Sequence, residues 1–422
     1  MRVLPVVPLH ATTAAHGGKA ATLGRLHRLG LPVPDGFVVP AEVAVEHLPA
    51  AVGTGLGELT GTERADAAVA VRSSASDEDG ARTSAAGQYE TTLGVVGVDD
   101  VVAAVVACRA SSHGVRATAY HAAMSYDAGR PADGAQTGVE VAVVVQRLVD
   151  ARVAGVLFTA GFDGGRTVIE ASWGLGESVV QGAVDPDRWT VVAGRVVDHR
   201  TGSKRTRVDR PPAGAGTVVR DVRPADRDRP CLEDATVLAV AALGERVADL
   251  LGGPQDVEWA VDDDGTLWLL QARPVTATLP PDRCERAMRP VPGAIPGPSP
   301  AHSESRDRPG AVLTGVAGSS GWATGPARVV RGPDDFAAVR PGDVLVCRET
   351  DPAWTPLFGV AAAVVTETGG LLSHAAIVAR ELRLPAVLGV PGAVRALHGA
   401  GTVDVDGDAG TVTLEPPGAK PF

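Results

Sequence analysis

His374 closes the run Gly369-Gly-Leu-Leu-Ser-His and opens Ala-Ala-Ile-Val-Ala-Arg-Glu-Leu. The glycine pair lets the backbone turn tightly after an apolar, strand-like run at 361–365, and residues 375–382 carry a helical pattern. Ser373 is then the N-cap, with His374 in the first turn. The positive end of the helix dipole disfavours imidazolium, so the expected state is a neutral, nucleophilic imidazole. That is the form a phosphoryl acceptor needs. The competing reading of such a histidine is a residue that packs or caps a helix start.

Chemistry of a second kind lies in the N-terminal half. The segment 256–274, Asp-Val-Glu-Trp-Ala-Val-Asp-Asp-Asp-Gly-Thr-Leu-Trp-Leu-Leu-Gln-Ala-Arg-Pro, reads as a hairpin. A type I′ turn at Asp264-Gly265 sets Asp263 opposite Thr266, which places Glu258 opposite Gln271 and Asp256 opposite Arg273 on one face. The Glu258 carboxylate and Gln271 amide oxygen suit a hard, hydrated Mg2+, and Arg273 suits a phosphate. Arg72 stands at a strand end before a hydroxyl-rich loop, where a guanidinium can grip phosphate bidentately. Gly17-Gly18 delivers Lys19 to a helix start, and the small-residue loop 84–92, with Gly87, Gln88 and Thr91, could fold over phosphates through backbone N–H groups. Gly-Gly-Lys does not fit the Gly-x-x-x-x-Gly-Lys-Ser/Thr loop, which disfavours a P-loop fold.

The elements that must position these residues follow from periodicity. Strands are expected at 68–72, 140–148, 155–159, 167–171, 189–192, 256–261 and 267–271, and helices at 19–29, 101–109, 116–124 and 234–251, the last stopped by Gly252-Gly253. The charged stretch 205–229 reads as a solvated face or loop. Residues 277–312 are dense in proline and read as an extended, semi-stiff linker between a large part (1–276) and a compact, strand-rich one (313–418) with one or two helices.

Composition narrows the classes. The chain has 422 residues, 45% of them hydrophobic, enough for two or three cores. A formal charge of -11 and no Lys/Arg-rich run argue against a nucleic-acid or anionic-membrane surface. The first ten residues are too short and proline-broken for a signal peptide, and no run of about 18 apolar residues occurs, so a cytoplasmic location is expected. Cys108, Cys231, Cys284 and Cys347 are widely spaced and read as incidental thiols, not a zinc site or disulfide framework. The lysines are Lys19, Lys204 and Lys420 in an otherwise arginine-based chain, which suggests a lysine is kept where a compact point charge is wanted.

The segment Gly-Gly-Leu-Leu-Ser-His-Ala-Ala-Ile-Val-Ala-Arg-Glu-Leu-Arg-Leu-Pro-Ala-Val-Leu-Gly-Val (369–390) resembles the phosphohistidine segment of phosphoenolpyruvate synthases, pyruvate phosphate dikinases and rifampicin phosphotransferases. Residues 16–276 resemble the ATP-binding domain of the same family, through Gly-Gly-Lys-Ala-Ala-Thr-Leu-Gly, Val-Arg-Ser-Ser-Ala, Ala-Gly-Gln-Tyr-Glu-Thr, Val-Val-Val-Gln-Arg-Leu-Val, Glu-Ala-Ser-Trp-Gly-Leu-Gly-Glu, Asp-Val-Glu-Trp-Ala and Leu-Gln-Ala-Arg-Pro-Val. The resemblance implies an α/β (α+β) fold: a two-lobed ATP-grasp domain, then a compact β/β/α phosphohistidine swivelling domain. It makes Lys19, Arg72 and Arg273 phosphate contacts, and Glu258 with Gln271 the Mg2+ pair. Gln146, Arg147, Leu148 and Val149 become the adenine-side hinge, Glu170 with Gly174 to Glu177 line the nucleotide cleft, and His374 becomes the phosphoryl carrier. The cofactors implied are ATP and Mg2+.

The chain departs from that family in two ways. The several-hundred-residue barrel or drug-binding domain has no counterpart here, where the proline-rich linker stands instead. At about 3.3 Å per extended residue that linker permits a swing of tens of ångströms. Two residues before the histidine, where pyruvate phosphate dikinases carry a regulatory threonine, stands Leu372. The implied activity is a dikinase-type transfer from ATP through His374 to a small hydroxylated, enolic or carboxylate metabolite, with AMP and phosphate released. Alternatives are a subunit that charges His374 for a separate acceptor-binding protein, and a non-catalytic nucleotide sensor. Trp354 reads as packing behind the His loop more than as a stacking platform for an acceptor.

Overall fold

The computed structural model describes residues 6–61, 67–75, 91–111, 141–160, 165–276, 279 and 311–414. The helix expected at 116–124, Cys284, and Gly87 with Gln88 lie outside them, as does most of the linker.

A first sheet is built from β1 (Val7–Pro8), β2 (Gly36–Val39), β3 (Val69–Ser74), β4 (Thr91–Val95) and β5 (Ala142–Arg147), in the antiparallel order β1-β2-β5-β3-β4. Valines alternate along β5, and the alternation covers both faces. Val143 and Val145 pack under α2 (Leu48–Thr60) and α3 (Val98–Ser111), whereas Ala142 and Val144 join the core filled by Leu23 and Leu26 of α1 (Gly18–Arg28). Residues 148–150 then connect this sheet to the second.

The second sheet contains β6 (Ala151–Phe158), β7 (Arg166–Trp173), β8 (Asp187–Val192), β9 (Arg195–Arg200), β12 (Gln255–Asp262) and β13 (Leu267–Pro274). Its order is β13-β12-β6-β7-β8-β9, antiparallel throughout. A four-residue α4 (Glu177–Val180) follows β7. The charged stretch 205–229, expected to be a solvated face or loop, folds into the hairpin β10 (Thr206–Asp209) and β11 (Val218–Asp221) with a short α5 (Pro224–Arg227). Its charges are paired locally: Arg207 with Asp209, and Arg223 and Arg229 with Asp226. Helix α6 (Asp234–Leu251) covers one face of the sheet with Val237, Val240, Ala241 and Val247. It ends where the sequence indicates, with Gly252 left-handed at φ 84° and its N–H donating to the Ala248 carbonyl. Lys204 is fully buried, with Nζ 2.5 Å from Asp187 Oδ1, a compact charge in a tight site.

The C-terminal domain is an eight-stranded sheet of β14 (Val312–Thr314), β15 (Val316–Ser319), β16 (Trp322–Val329), β17 (Val344–Cys347), β18 (Ala363–Thr366), β19 (Ala386–Leu388), β20 (Thr402–Asp406) and β21 (Thr411–Leu414), ordered β14-β21-β20-β16-β17-β18-β19-β15. The central strands β16 to β19 are parallel. In such a sheet the loops leaving the carboxyl ends are where ligands are handled. The loops after β17 and β18 run together there: the Thr368 N–H donates to the Arg348 carbonyl at 3.0 Å. Three helices, α7 (Thr355–Phe358), α8 (His374–Glu381) and α9 (Ala393–Ala396), complete the domain.

The two parts are packed together. Val156, Phe158, Val168, Val179 and Val184 of the second sheet and its α4 loop share one buried cluster with Leu371, Leu372 and Ile377 of the C-terminal domain. Helices therefore cover one face of the second sheet, and the His374 domain covers the other. Cys108, Cys231 and Cys347 are buried thiols, and burial pushes the Cys231 thiol well above its ordinary range. Among the described residues no helix is long and apolar enough to cross a membrane.

Candidate functional site

The face that receives the His374 domain is organised in ladder rows. Gln271, Glu258, Val156, Glu170 and Arg188 are successive cross-strand neighbours, and Arg273, Asp256, Phe158, Val168 and Thr190 form the next row. The pairings of Glu258 with Gln271 and Asp256 with Arg273 are those expected, but the route to them differs. The hairpin loop is closed by a Gly265 N–H to Asp262 carbonyl bond, with Gly265 at φ 82°, and the Asp262 N–H donates to the Thr266 carbonyl. That is a three-residue loop in place of a type I′ turn. A bulge at Leu270, between the pairs Trp259–Leu269 and Glu258–Gln271, restores the register. The bulge has a use: the Leu270 carbonyl accepts from Arg72 Nη1 at 3.0 Å.

Arg72 bridges the sheets. Its Nη2 donates to Glu258 Oε2 at 2.6 Å and to Gln271 Oε1 at 2.7 Å, so the carboxylate and amide oxygens converge on one point. Burial opposes charge on Glu258 most strongly, yet the combined pull of Arg72, Arg273 and Lys19 holds it below the ordinary carboxylate range. Asp256 receives both Nε and Nη2 of Arg273, at 2.8 and 2.7 Å, but its burial outweighs them and leaves its pKa raised. Lys19, buried at the start of α1, donates from Nζ to the Ser73 carbonyl at 3.1 Å. Thr91 is exposed and lies across the ladder from Arg72. One carboxylate and one amide oxygen fit a Mg2+ ion that takes its remaining ligands from phosphates and water. Among the described residues no group of three or more His, Cys, Asp or Glu has the arrangement to hold a metal by itself.

Other expected nucleotide contacts are engaged with the protein. Gln146 donates to the Pro34 carbonyl at 3.0 Å and Arg147 to the Leu59 carbonyl at 2.8 Å. Leu148 and Val149 belong to a small apolar cluster with Leu175 and Ala260, at the crossing between the sheets. Glu177 starts α4, accepts from Gln181 at 3.1 Å, and has its pKa raised by burial.

His374 lies where the sequence places it, as the first residue of α8 with extended Ser373 at the N-cap. The Ser373 hydroxyl makes no cap bond; it donates back to the Gly370 carbonyl at 2.9 Å. His374 itself is 4% exposed, because its loop is pressed against the second sheet. Glu170 does the holding: its two carboxylate oxygens accept the Leu371 and Leu372 N–H groups at 2.8 and 3.0 Å. A Cβ on Gly370 would fall on that carboxylate. The Gly369 N–H donates to the Val184 carbonyl at 3.1 Å, and the Thr368 hydroxyl to the Gly182 carbonyl at 2.7 Å. Burial raises the Glu170 pKa, against the attraction of Arg188, the two backbone N–H groups and Arg380. Sequence reasoning put Glu170 at the nucleotide cleft and did not find this docking role, since its partners are backbone groups some 200 residues away. Trp354 packs behind the loop, edge-on to Phe336 at 5.5 Å.

Residues 44–288 match the family model described as pyruvate phosphate dikinase, AMP/ATP-binding domain, and 339–410 match that of the PEP-utilising enzyme, mobile domain. A probable phosphoenolpyruvate synthase of Methanothermobacter thermautotrophicus is 34% identical over 94% of this chain and 61% of its own length. Phosphoenolpyruvate synthases of Pyrococcus furiosus and Pseudomonas aeruginosa are 38% identical over 82% of this chain, and 40% and 43% of their own lengths. The chain thus spans between two fifths and three fifths of these relatives. More than half of it carries the nucleotide-domain match, on the part built from the two antiparallel sheets, and the mobile-domain match falls on the part bearing His374. The chain belongs to the pyruvate phosphate dikinase AMP/ATP-binding domain family.

Proposed function

We propose that this chain is an ATP-dependent phosphotransferase of dikinase type, in which His374 carries a phosphoryl group from ATP to a small hydroxylated, enolic or carboxylate acceptor. One observation carries the reading: the His374 loop is held by Glu170 on the same sheet face that presents Glu258, Gln271 and Arg273. A carrier histidine and a phosphate-handling surface are brought together by a dockable seam. Lys19, Arg72 and Arg273 bind and orient the phosphate chain. Glu258 and Gln271 would hold Mg2+, which when bound supplies positive charge to the phosphate oxygens. Thr91, with Gly87 and Gln88, contributes to the loop over the phosphates. Gln146 to Val149 form the hinge beside the base, and Glu177 with the 174–176 turn lines the cleft.

The neutral imidazole attacks the β-phosphorus, the bond to the α-phosphate oxygen breaks, and AMP leaves. Water takes the γ-phosphoryl as inorganic phosphate, and phosphohistidine remains for the acceptor. The test is to follow 31P signals with ATP and Mg2+. AMP, phosphate and a phosphohistidine signal that is lost in His374→Ala are expected; ADP as sole product, or unchanged turnover in that variant, overturns the reading.

A second reading has the acceptor bound on another protein. It predicts stoichiometric His374 phosphorylation with no onward transfer until that protein is added.

A further inference from the structure

The hairpin of β10 and β11 forms a two-stranded sheet outside the three larger ones. Such a hairpin is marginal in water by itself, so what it leans on decides where it sits. At its root the Leu175 N–H donates to the Val208 carbonyl at 2.7 Å, and Gly174, at φ 80°, forms a bridge with Val208. A Cβ on Gly174 would fall on that carbonyl. The Val208 side chain, with those of Leu93 and Leu148, packs against the buried cluster of Val149 and Leu175. A backbone bond and apolar packing therefore hold the root together, on the turn that follows β7.

The far end of the hairpin reaches the other sheet. The Gly216 N–H donates to the Gly94 carbonyl of β4 at 2.7 Å. Gly94 stands at φ 74°, and a Cβ there would fall on the Gly216 carbonyl. Both partners are glycines, so neither adds side-chain packing to the bond, and Pro212, Ala213, Gly214 and Ala215 of the tip are exposed. One hydrogen bond of this kind shifts an equilibrium by about tenfold or less. The tip can let go while the root stays seated. Between the two anchors lie Leu148 and Val149, proposed above to sit beside the base, and β4 is the ladder neighbour of the strand that carries Arg72.

We propose that this hairpin is a strap across the two lobes, rooted at Val208 and released at the Gly216–Gly94 bond, and that its opening gates nucleotide entry and exit. The strap follows from the contacts; its role toward nucleotide rests on the phosphotransferase reading. With the tip closed, β4 is tied to the turn on the opposite side of the cleft and the base site is covered. Opening precedes both entry and exit, so the strap sets the two rates and leaves affinity nearly unchanged.

The test uses the full chain in three forms: wild type, Gly94→Ala, and replacement of 210–217 by an Asn-Gly turn. That turn closes Asp209 on Val218, which removes the tip and keeps the paired strands. In the nucleotide-free wild type the Gly216 amide should exchange hydrogen about tenfold or more faster than the Leu175 amide. Stopped-flow binding and chase of a fluorescent, non-hydrolysable ATP analogue should give entry and exit rates each about tenfold higher in both variants, with a dissociation constant within about threefold of the wild type. Where melting shows one variant to be misfolded, the other decides. Equal protection of the two amides, wild-type rates in a folded variant, or weaker binding without faster entry overturns the strap. A wild type that binds no nucleotide overturns the phosphotransferase reading and the gate together, whereas wild-type rates in a folded variant remove the gate and leave that reading standing.

Discussion

Glu258 and Glu170 are the same residue type in the same ladder row of one sheet, separated by Val156, and their environments push them in opposite directions. Glu258 is surrounded by Arg72, Arg273 and Lys19 and is held below the ordinary range despite burial. Glu170 has backbone N–H groups as its direct partners, and burial wins. A pleated row fixes where side chains point, but the elements laid over the face decide their roles. Here the first lobe lays guanidinium and ammonium groups over one end, while the His374 domain lays a loop of amides over the other. One end gathers the cationic groups on which the proposed phosphate and metal site rests, and the other holds the docked domain.

The largest effect that would sharpen this contrast is expected from Glu258→Gln. It leaves the inner guanidinium of Arg72 with one formal charge fewer to face, and removing one partner of a largely buried pair costs about 3 kcal/mol. Nucleotide turnover should fall by about 100-fold or more, since the carboxylate that would hold the metal is gone. Calorimetric stability and AMP release measure the two effects; near-wild-type values in both would break the assignment of this end to phosphates.

Gly370→Ala attacks the other end. The added Cβ meets the Glu170 carboxylate, and overpacking of that kind costs about 1–3 kcal/mol. The His374 domain should leave the sheet, giving a larger radius of gyration by small-angle scattering, while nucleotide affinity stays as in the wild type. Phosphohistidine formation should slow about tenfold or more. Unchanged scattering and unchanged rates would show that the loop is not held by this contact.

How much of this was legible in the sequence depends on the range of the interactions. Helix α6 was readable end to end because periodicity and the Gly252 stop are local signals. The Glu258–Gln271 register was reached by a two-residue turn that is not there; a longer loop and the Leu270 bulge cancel. That bulge is selected by Arg72, 198 residues away, and no local pattern encodes it. The hairpin of β10 and β11 is legible only as a solvated face or loop, because charged residues dominate its exposed strands. Motif reading singles out His374 and the residues proposed to contact phosphate. The docking role of Glu170 is not legible in the sequence because what it binds, the Leu371 and Leu372 amides, is backbone from the far side of a domain junction.

Glu170→Gln is the milder version of undocking. The amide can accept one of the two N–H groups and must turn its NH2 toward the other, a cost of about 1–2 kcal/mol. Hydrogen exchange at the Leu371 and Leu372 amides should quicken by about tenfold, with the fold of each domain unchanged. Protection equal to the wild type would show that those amides are shielded by the apolar seam alone.

The smallest effect, of about 1 kcal/mol or less, is in pH dependence, and its sign separates the two carboxylates most directly. Glu258 is depressed in the folded chain, so its contribution is present above the ordinary carboxylate range and lost as pH falls through its lowered value. Glu170 is raised in the docked chain, so its contribution is largest below the ordinary range and declines as pH rises through its raised value. The stability difference between wild type and Glu258→Gln should therefore grow from acid toward neutral pH, whereas that between wild type and Glu170→Gln should shrink. Denaturant titrations between about pH 4 and 7 read both slopes. Parallel slopes would mean that one environment governs the whole row, and that the two ends of the sheet are not specialised as the contacts indicate.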